Sequence, residues 1–123
     1  MKTDTNLVIL DAYNANPSSM QAALMNFARM KAEKKMVILG DMLELGEESP
    51  REHLSIIQLI REYGFTDLIL VGPEFQKVSN QELISFPDVS AAVNWLKQHP
   101  VNDFTILVKG SRGIKMEKVM ETL

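Results

Sequence analysis

The sequence predicts an α/β fold with an open, mainly parallel sheet of five or six strands and helices on both faces. Two observations predict this fold. Short apolar runs recur along the chain, and each is unbroken rather than alternating, which is typical of strands covered on both faces. Segments with apolar residues at helical spacing separate these runs. Strand and helix therefore alternate, which favours βαβ units with right-handed crossovers.

Four apolar runs are predicted to be strands. They occupy residues 7–10, 36–39, 68–71 and 104–108. Each run is four or five residues long, which fits a buried strand better than a helix. Residues 83–86 form a weaker fifth candidate.

Four segments are predicted to be helices, because their apolar residues follow the i, i+3, i+4, i+7 spacing. They fall within residues 20–27, 56–63, 89–96 and 116–123.

Flanking residues indicate where these elements begin and end. The pair Asn16–Pro17 predicts an N-cap followed by proline in the first helical turn, and residues 49–52 (Ser-Pro-Arg-Glu) predict a capping box. Gly64 is expected to close the second helix in a left-handed conformation. The Gly-Pro pair at 72–73 ends the third strand, with a short helical turn expected over 74–78.

Length and composition fit one domain spanning residues 1–123, with 46% hydrophobic and 24% charged residues and a net charge of −3. The absence of cysteine excludes disulfides, thiol catalysis and cysteine-ligated zinc, and two histidines leave little material for a histidine-rich metal site. No basic block and no apolar run of membrane-spanning length is present. We therefore expect a soluble, cytoplasmic protein with neither nucleic acid nor membrane as a partner.

Ligands bind beyond the carboxyl ends of the strands in such a sheet, and three loops leave these ends with polar residues. We expect all three on one edge. In the first, residues 11–17, Asp11 can accept hydrogen bonds from ribose hydroxyls, and the amides of Asn14 and Asn16 can pair with a base or a peptide. The alternative is that Asp11 and Asn16 only satisfy donors in a turn and a helix cap.

The second loop, residues 40–49, is long and contains apolar residues that a solvated loop does not need. It is predicted either to dock onto something outside this domain or to cover a small satellite core. The acids of this loop are Asp41, Glu44, Glu47 and Glu48. Their spacing matches no calcium loop, so no metal site is predicted.

The third loop, residues 109–113, favours an anion site over a solvated glycine turn. Gly110 and Gly113 would let backbone N–H groups approach a ligand, and the dipole of the following helix would add positive potential. Lys109 and Arg112 add charge, and Arg112 can grip a carboxylate with two parallel hydrogen bonds.

Other features limit what this chain does alone. His53, in the first turn of the second helix, is predicted to be exposed. The sequence contains neither GxxxxGK[ST] nor GxGxxG after the first strand, so it has no familiar loop for a triphosphate. No serine–histidine–acid or paired-carboxylate arrangement is evident. Catalysis by the isolated chain is therefore not expected.

Three motifs resemble one branch of the Mur ligase family, the UDP-N-acetylmuramoyl-tripeptide–D-alanyl-D-alanine ligases. They are DAYNANPSSM at 11–20, ILGDMLELGE at 38–47 and VKGSR at 108–112, within a resemblance that runs from about Asn6 to Leu123. The resemblance implies the Rossmann-like C-terminal domain of a three-domain enzyme. Residues 1–5 would then be a linker remnant or an added start.

The resemblance also implies a reaction, its cofactors and a site. ATP would phosphorylate the tripeptide carboxylate, and the amine of D-alanyl-D-alanine would attack the acyl phosphate, with ATP and Mg²⁺ held mainly by a central domain that this chain lacks. The implied partners are the central and N-terminal domains and the two substrates, in a monomeric enzyme. The implied nucleotide-binding residues are Asp11, Tyr13 and Asn14. The implied substrate-binding residues are Asn14, Asn16, Asp41, Lys109, Ser111 and Arg112.

Two alternatives from other classes remain at this point. A receiver-type signalling domain fits the length and the acid at Asp11, but such a domain needs an aspartate where the third strand ends in Val71-Gly72-Pro73. A stand-alone binding module would fold by itself and act only by docking.

Overall fold

The computed structural model describes residues 2–3 and 5–123, in which strands and helices alternate as predicted. The strands are β1 (Leu7–Asp11), β2 (Lys35–Gly40), β3 (Asp67–Val71), β4 (Ile84–Phe86) and β5 (Thr105–Lys109). The α-helices are α1 (Pro17–Arg29), α2 (Ser49–Glu62), α3 (Pro73–Val78) and α4 (Val89–Gln98). Short 3₁₀ helices cover Gly46–Glu48, Arg112–Ile114 and Met116–Thr122.

The five strands form one sheet in the order β1-β5-β2-β3-β4, and every pairing is parallel. Both faces are covered, because successive side chains of a strand point to opposite sides. In β2, Val37 and Leu39 pack with α1, α2 and α3, whereas Met36 and Ile38 pack with α4 and the 3₁₀ helix at Met116–Thr122. The predicted α/β fold, including its weaker fifth strand, is confirmed.

The topology marks one place on the sheet for a ligand. The chain leaves β1 and β2 towards the face covered by α1 and α2, but it leaves β5 towards the opposite face. Because β5 lies between β1 and β2, neighbouring loops diverge at its carboxyl end. Such a divergence opens the crevice in which open α/β sheets bind ligands.

Two predicted element boundaries are confirmed by backbone geometry. Asn16 caps α1 in a capping box with Ser19, and Gly64 follows α2 with φ of 80°. The helical turn predicted over 74–78 is α3.

Two other predictions are wrong. The capping box at Ser49 does not form, because the 3₁₀ turn at Gly46–Glu48 runs directly into α2 and gives Ser49 helical dihedral angles. The last predicted helix is a 3₁₀ helix that starts after Lys115, whose φ of 63° is left-handed. A 3₁₀ helix has three residues per turn, and the buried Met116 and Val119 follow that spacing.

The interpretation of residues 1–5 as a remnant includes Met1 and Asp4, which lie outside the described residues. Thr3 donates from Oγ1 to the carbonyl oxygen of Leu123 over 2.7 Å, so this part of the chain contacts the domain. In the part of the chain that the structure covers, no helix has the length and apolar character to cross a membrane.

Candidate functional site

The three polar loops meet at the carboxyl end of β5, and we call residues 11–17, 40–49 and 109–113 the rim. Ser111 joins them. Its N–H donates to the carbonyl of Asp41 over 3.0 Å, and its hydroxyl donates to the carbonyl of Ala15 over 3.2 Å and accepts from the N–H of Leu43 over 2.9 Å. The predicted convergence of the loops on one edge of the sheet is therefore what the structure shows.

Lys109 is buried in the rim and fully engaged there. Its side chain is 2% exposed, and its ammonium donates to Asp11 Oδ2 over 2.6 Å and to the carbonyl of Asn14 over 2.8 Å. The side chain of Asp11 is 48% exposed, so its carboxylate can meet a ligand at the surface. Lys109 neutralises that carboxylate and anchors the first loop, and it does not present its charge to solvent.

Tyr13, Asn14 and Arg112 are among the exposed residues of the rim. Tyr13 is 73% exposed, and the guanidinium carbon of Arg112 lies 5.4 Å from the centre of its ring. That distance is within the range of a cation–π contact. An aromatic face, an amide and a free cation are thus available together at the surface.

Asn16 is exposed, but its side-chain oxygen is occupied by the start of α1. Its Oδ1 accepts from the N–H of Ser19 over 2.9 Å, and the Ser19 hydroxyl accepts from the N–H of Asn16 over 2.9 Å. The structure therefore bears out the capping alternative for Asn16.

Asp41 is fully buried rather than facing outwards. Its carboxylate accepts from the N–H groups of Glu74 over 2.8 Å and Phe75 over 2.9 Å, at the start of α3. Gly72, the N-cap residue of α3, has no side chain to do this, and a Cβ atom there would overlap the Asp41 carboxylate. Asp41 thus caps a helix from a distant loop, which differs from the substrate contact expected from the sequence.

His53 was predicted to be exposed, and this is wrong: it is fully buried beside Asp41. Its Nε2 accepts from the N–H of Met42 over 3.0 Å, and its Nδ1 lies 2.7 Å from the carbonyl oxygen of Ser49. The Ser49 hydroxyl in turn donates to Glu74 Oε1 over 2.7 Å. Extending the apolar stripe of α2 back by one turn from Ile56 reaches His53, a signal that sequence analysis could have used.

Ser49 and His53 therefore form a cluster with Asp41 and Glu74 that the sequence did not reveal. The geometry of this cluster is not that of a nucleophilic triad. In a triad the histidine accepts the proton of the serine hydroxyl. Here the Ser49 hydroxyl lies 3.2 Å from Nδ1 but donates to Glu74, while Nδ1 also faces the carbonyl oxygen of Ser49 at 2.7 Å and Nε2 faces the N–H of Met42. Ser49 and His53 are also buried. The cluster holds the second loop, α2 and α3 together.

The pKa values of Asp41 and Glu74, the two acids of this cluster, are shifted in opposite directions. Burial raises the pKa of the Asp41 carboxyl above its ordinary 3.8, although the N–H groups of Phe75 and Glu74 act against this. Hydrogen bonds from the Ser49 hydroxyl and the Lys77 ammonium lower the pKa of Glu74 below its ordinary 4.5.

The glycines of the third loop serve packing rather than an anion site. A Cβ atom on Gly110 would collide with the Met116 side chain, and one on Gly113 would collide with Leu43. The N–H of Gly110 donates to the carbonyl of Asp11 over 3.2 Å, and a short 3₁₀ helix follows instead of an α-helix. The predicted anion site therefore reduces to the exposed guanidinium of Arg112.

Several clefts lie on the surface, and two of them differ in their position relative to the rim. One, of about 290 Å³, lies between the second loop and the start of α3, with Leu43, Ser49, Pro73 and Glu74 among its lining residues. A groove of about 540 Å³ lies away from the rim, between α1 and α2. Within residues 2–3 and 5–123, no three histidine or acidic side chains are grouped so that they could hold a metal ion.

Comparison with known proteins identifies what the chain is similar to. The family described as "Mur ligase, glutamate ligase domain" matches residues 1–112. The UDP-N-acetylmuramoyl-tripeptide–D-alanyl-D-alanine ligase of Rickettsia prowazekii is 36% identical over 119 residues, which cover 93% of this chain and 26% of that protein. The ligase of the same name from Escherichia coli K12 is 35% identical, covering 98% and 27% respectively.

A solved structure gives the same relation. A crystal structure of MurF from Acinetobacter baumannii superposes with a TM-score of 0.80 at 29% identity, covering 98% of this chain and 28% of that one. The chain thus spans about a quarter of the length of the curated relatives it matches.

Proposed function

The chain belongs to the Mur ligase family, and on that premise we propose that it is the C-terminal domain of an ATP-dependent ligase that joins D-alanyl-D-alanine to UDP-N-acetylmuramoyl-tripeptide. One observation carries this proposal: more than nine-tenths of the chain aligns with relatives that bear this name, at 36% and 35% identity. The family match also leaves no support for the receiver-type signalling alternative.

The rim fits only part of a nucleotide. The sequence has no phosphate loop, and the N–H groups of Gly110 and Ser111 are engaged by carbonyl oxygens. The exposed ring of Tyr13, the amide of Asn14 and the half-exposed Asp11 instead fit a base and a ribose. We therefore propose that the triphosphate and Mg²⁺ bind mainly to a central domain, while this rim contacts the nucleoside.

The rim also offers one free cation for a carboxylate substrate. Arg112 is exposed, and Tyr13 is the one aromatic ring among the described residues that its guanidinium contacts. A guanidinium binds a carboxylate through two parallel hydrogen bonds, so Arg112 would hold the carboxylate of the incoming dipeptide.

Four other predicted site residues would position this surface rather than contact ligands. In each of them a side-chain oxygen or nitrogen already bonds within the domain. These residues are Asn16, Asp41, Lys109 and Ser111. These bonds fix the loops from which Asp11, Tyr13 and Arg112 project. Preorganisation of this kind lowers the cost of ordering a site when ligands bind.

Within the whole enzyme, ATP supplies the activation of the tripeptide carboxylate. This domain would close over the reactants, align the dipeptide amine and exclude water that would otherwise hydrolyse the activated group. We further propose that the enzyme is cytoplasmic and monomeric.

The test is made in the full-length protein that contains this domain. Arg112→Ala should raise the KM for D-alanyl-D-alanine by about tenfold or more, which corresponds to losing a charge-assisted hydrogen bond, and should leave the KM for ATP within about twofold. Steady-state ADP release with each substrate varied in turn measures both constants. Lys118→Ala removes an exposed cation outside the rim and is the matched control.

Failure of the wild-type protein to release ADP in the presence of both substrates would reject the ligase assignment. An unchanged KM for the dipeptide in an active Arg112→Ala enzyme would reject the role of Arg112 alone.

A further inference from the structure

His53 is a buried ionisable residue that the proposed function does not use. It is fully enclosed, and its ring packs edge-on against Phe75 with centroids 4.6 Å apart. Burying an imidazole is unfavourable unless both nitrogens are hydrogen-bonded. Here both are, so the arrangement of its partners determines its chemical state.

The partners select one form of the ring. The N–H of Met42 can only donate, so the Nε2 that accepts from it, 3.0 Å away, has no proton. The carbonyl oxygen of Ser49 can only accept, so the Nδ1 that lies 2.7 Å from it has the proton. The Ser49 hydroxyl, 3.2 Å from Nδ1, donates its own proton to Glu74 and can therefore only accept from Nδ1. These hydrogen bonds are those of the ring tautomer that is protonated on Nδ1.

This single tautomer connects α2 to the rim. Through Nε2, His53 fixes the N–H of Met42, and the next N–H along the chain, that of Leu43, donates to the Ser111 hydroxyl over 2.9 Å. The N–H of Ser111 donates back to the carbonyl of Asp41 over 3.0 Å. The imidazole thus supports the backbone on which the turn containing Arg112 rests.

We propose that His53 is a positioning residue for the dipeptide side of the rim, holding residues 41–43 in place so that Arg112 projects correctly. This proposal rests on the proposed function. The nucleoside side depends on a different anchor, the pair of Lys109 and Asp11, and should be affected less.

The kinetic test compares three variants of the full-length protein. His53→Ala should raise the KM for the dipeptide by about tenfold and leave the KM for ATP within about twofold, because a displaced backbone misplaces the group that it supports. His53→Gln should recover most of the loss, since one amide offers both an acceptor and a donor. Leu54→Ala, at the exposed neighbouring position on α2, is the control.

A second measurement does not depend on activity. Hydrogen–deuterium exchange of a peptide covering residues 40–48 should show the Met42 amide losing protection in His53→Ala and regaining it in His53→Gln. Equal rises in both KM values, or a loss of thermal stability with unchanged kinetics, would overturn the positioning role. If the wild-type enzyme does not ligate, the proposed function fails, and the exchange experiment still decides whether His53 holds the loop.

Discussion

Two acids lie at the carboxyl ends of β1 and β2, the strands on either side of β5, yet the structure uses them differently. Asp11 ends β1 and has a side chain that is 48% exposed, whereas Asp41 follows β2 and is fully buried. We call the part of the rim formed by Asp11, Tyr13, Asn14 and Arg112 the outer half. The inner half consists of Asp41 and Ser49 of the rim together with His53 of α2 and Glu74 of α3.

The position of each strand in the sheet explains this difference. β1 is an edge strand with one neighbour, so the space beyond Asp11 is open to solvent on one side. β2 lies in the centre, and the neighbouring β3 is followed after one glycine by α3, whose first N–H groups point at Asp41. An acid after a strand is therefore available to a ligand only where no helix start covers it.

The largest expected effect on stability is at Gly72, which packs against the Asp41 carboxylate of the inner half. Its φ of 121° is unfavourable for any L side chain, and a Cβ atom would overlap the Asp41 carboxylate. Gly72→Ala should lower the free energy of unfolding by about 3 kcal/mol or more, combining backbone strain with overpacking. Urea denaturation of the chain followed by circular dichroism measures this.

Gly64→Ala is the matched control for this substitution. Gly64 also has a positive φ, of 80°, but nothing lies within 4 Å of its would-be Cβ atom. The expected loss is about 1 kcal/mol, from backbone strain alone. Equal losses for the two variants would show that Asp41 is not tightly enclosed by α3.

The outer half should show an asymmetry between Asp11 and its buried partner Lys109. Asp11→Ala leaves a buried ammonium with one carbonyl partner and should lower the free energy of unfolding by about 2–3 kcal/mol. Lys109→Met leaves a half-exposed carboxylate that water can solvate, so it should lower the free energy of unfolding by less. The double variant should be more stable than Asp11→Ala. Additive losses in the denaturation of the three variants would contradict the buried ion pair.

The smallest effect is a difference in pH dependence within the inner half. The raised pKa of Asp41 means that its favourable contribution to folding is complete below pH 3.8 and is lost as the pH rises through its folded-state pKa. The free energy difference between wild type and Asp41→Asn should therefore shrink as the pH rises.

Glu74 should behave in the opposite way. Its lowered pKa means that its contribution is complete above pH 4.5 and is lost as the pH falls, so the difference between wild type and Glu74→Gln should grow as the pH rises. Denaturation from about pH 3 to about pH 7 measures both differences. Two differences that change in the same direction would contradict the cluster as described.

Local patterns were sufficient for much of this architecture. The apolar runs located the buried strands because both faces of the sheet are covered, and Asn16 was identified as a cap because its partner Ser19 is three residues away. The edge of the sheet that bears the rim followed from the parallel topology. Each of these inferences depends on neighbours in sequence or on a general property of parallel sheets.

The sequence alone determined the fold class, the elements and the residues that reach the rim. Only the tertiary structure decided which of those residues remain free: Asp41 is occupied by α3, which lies more than thirty positions away, and Lys109 by Asp11, across the strand pairing of β1 and β5. It also decided that His53 of α2 bonds to the backbone of the second loop at Met42. The physical reason is that hydrogen-bond saturation depends on which distant backbone groups come within 3 Å. Helical spacing can indicate that His53 is buried, but it does not contain the identity of the groups that bond to it.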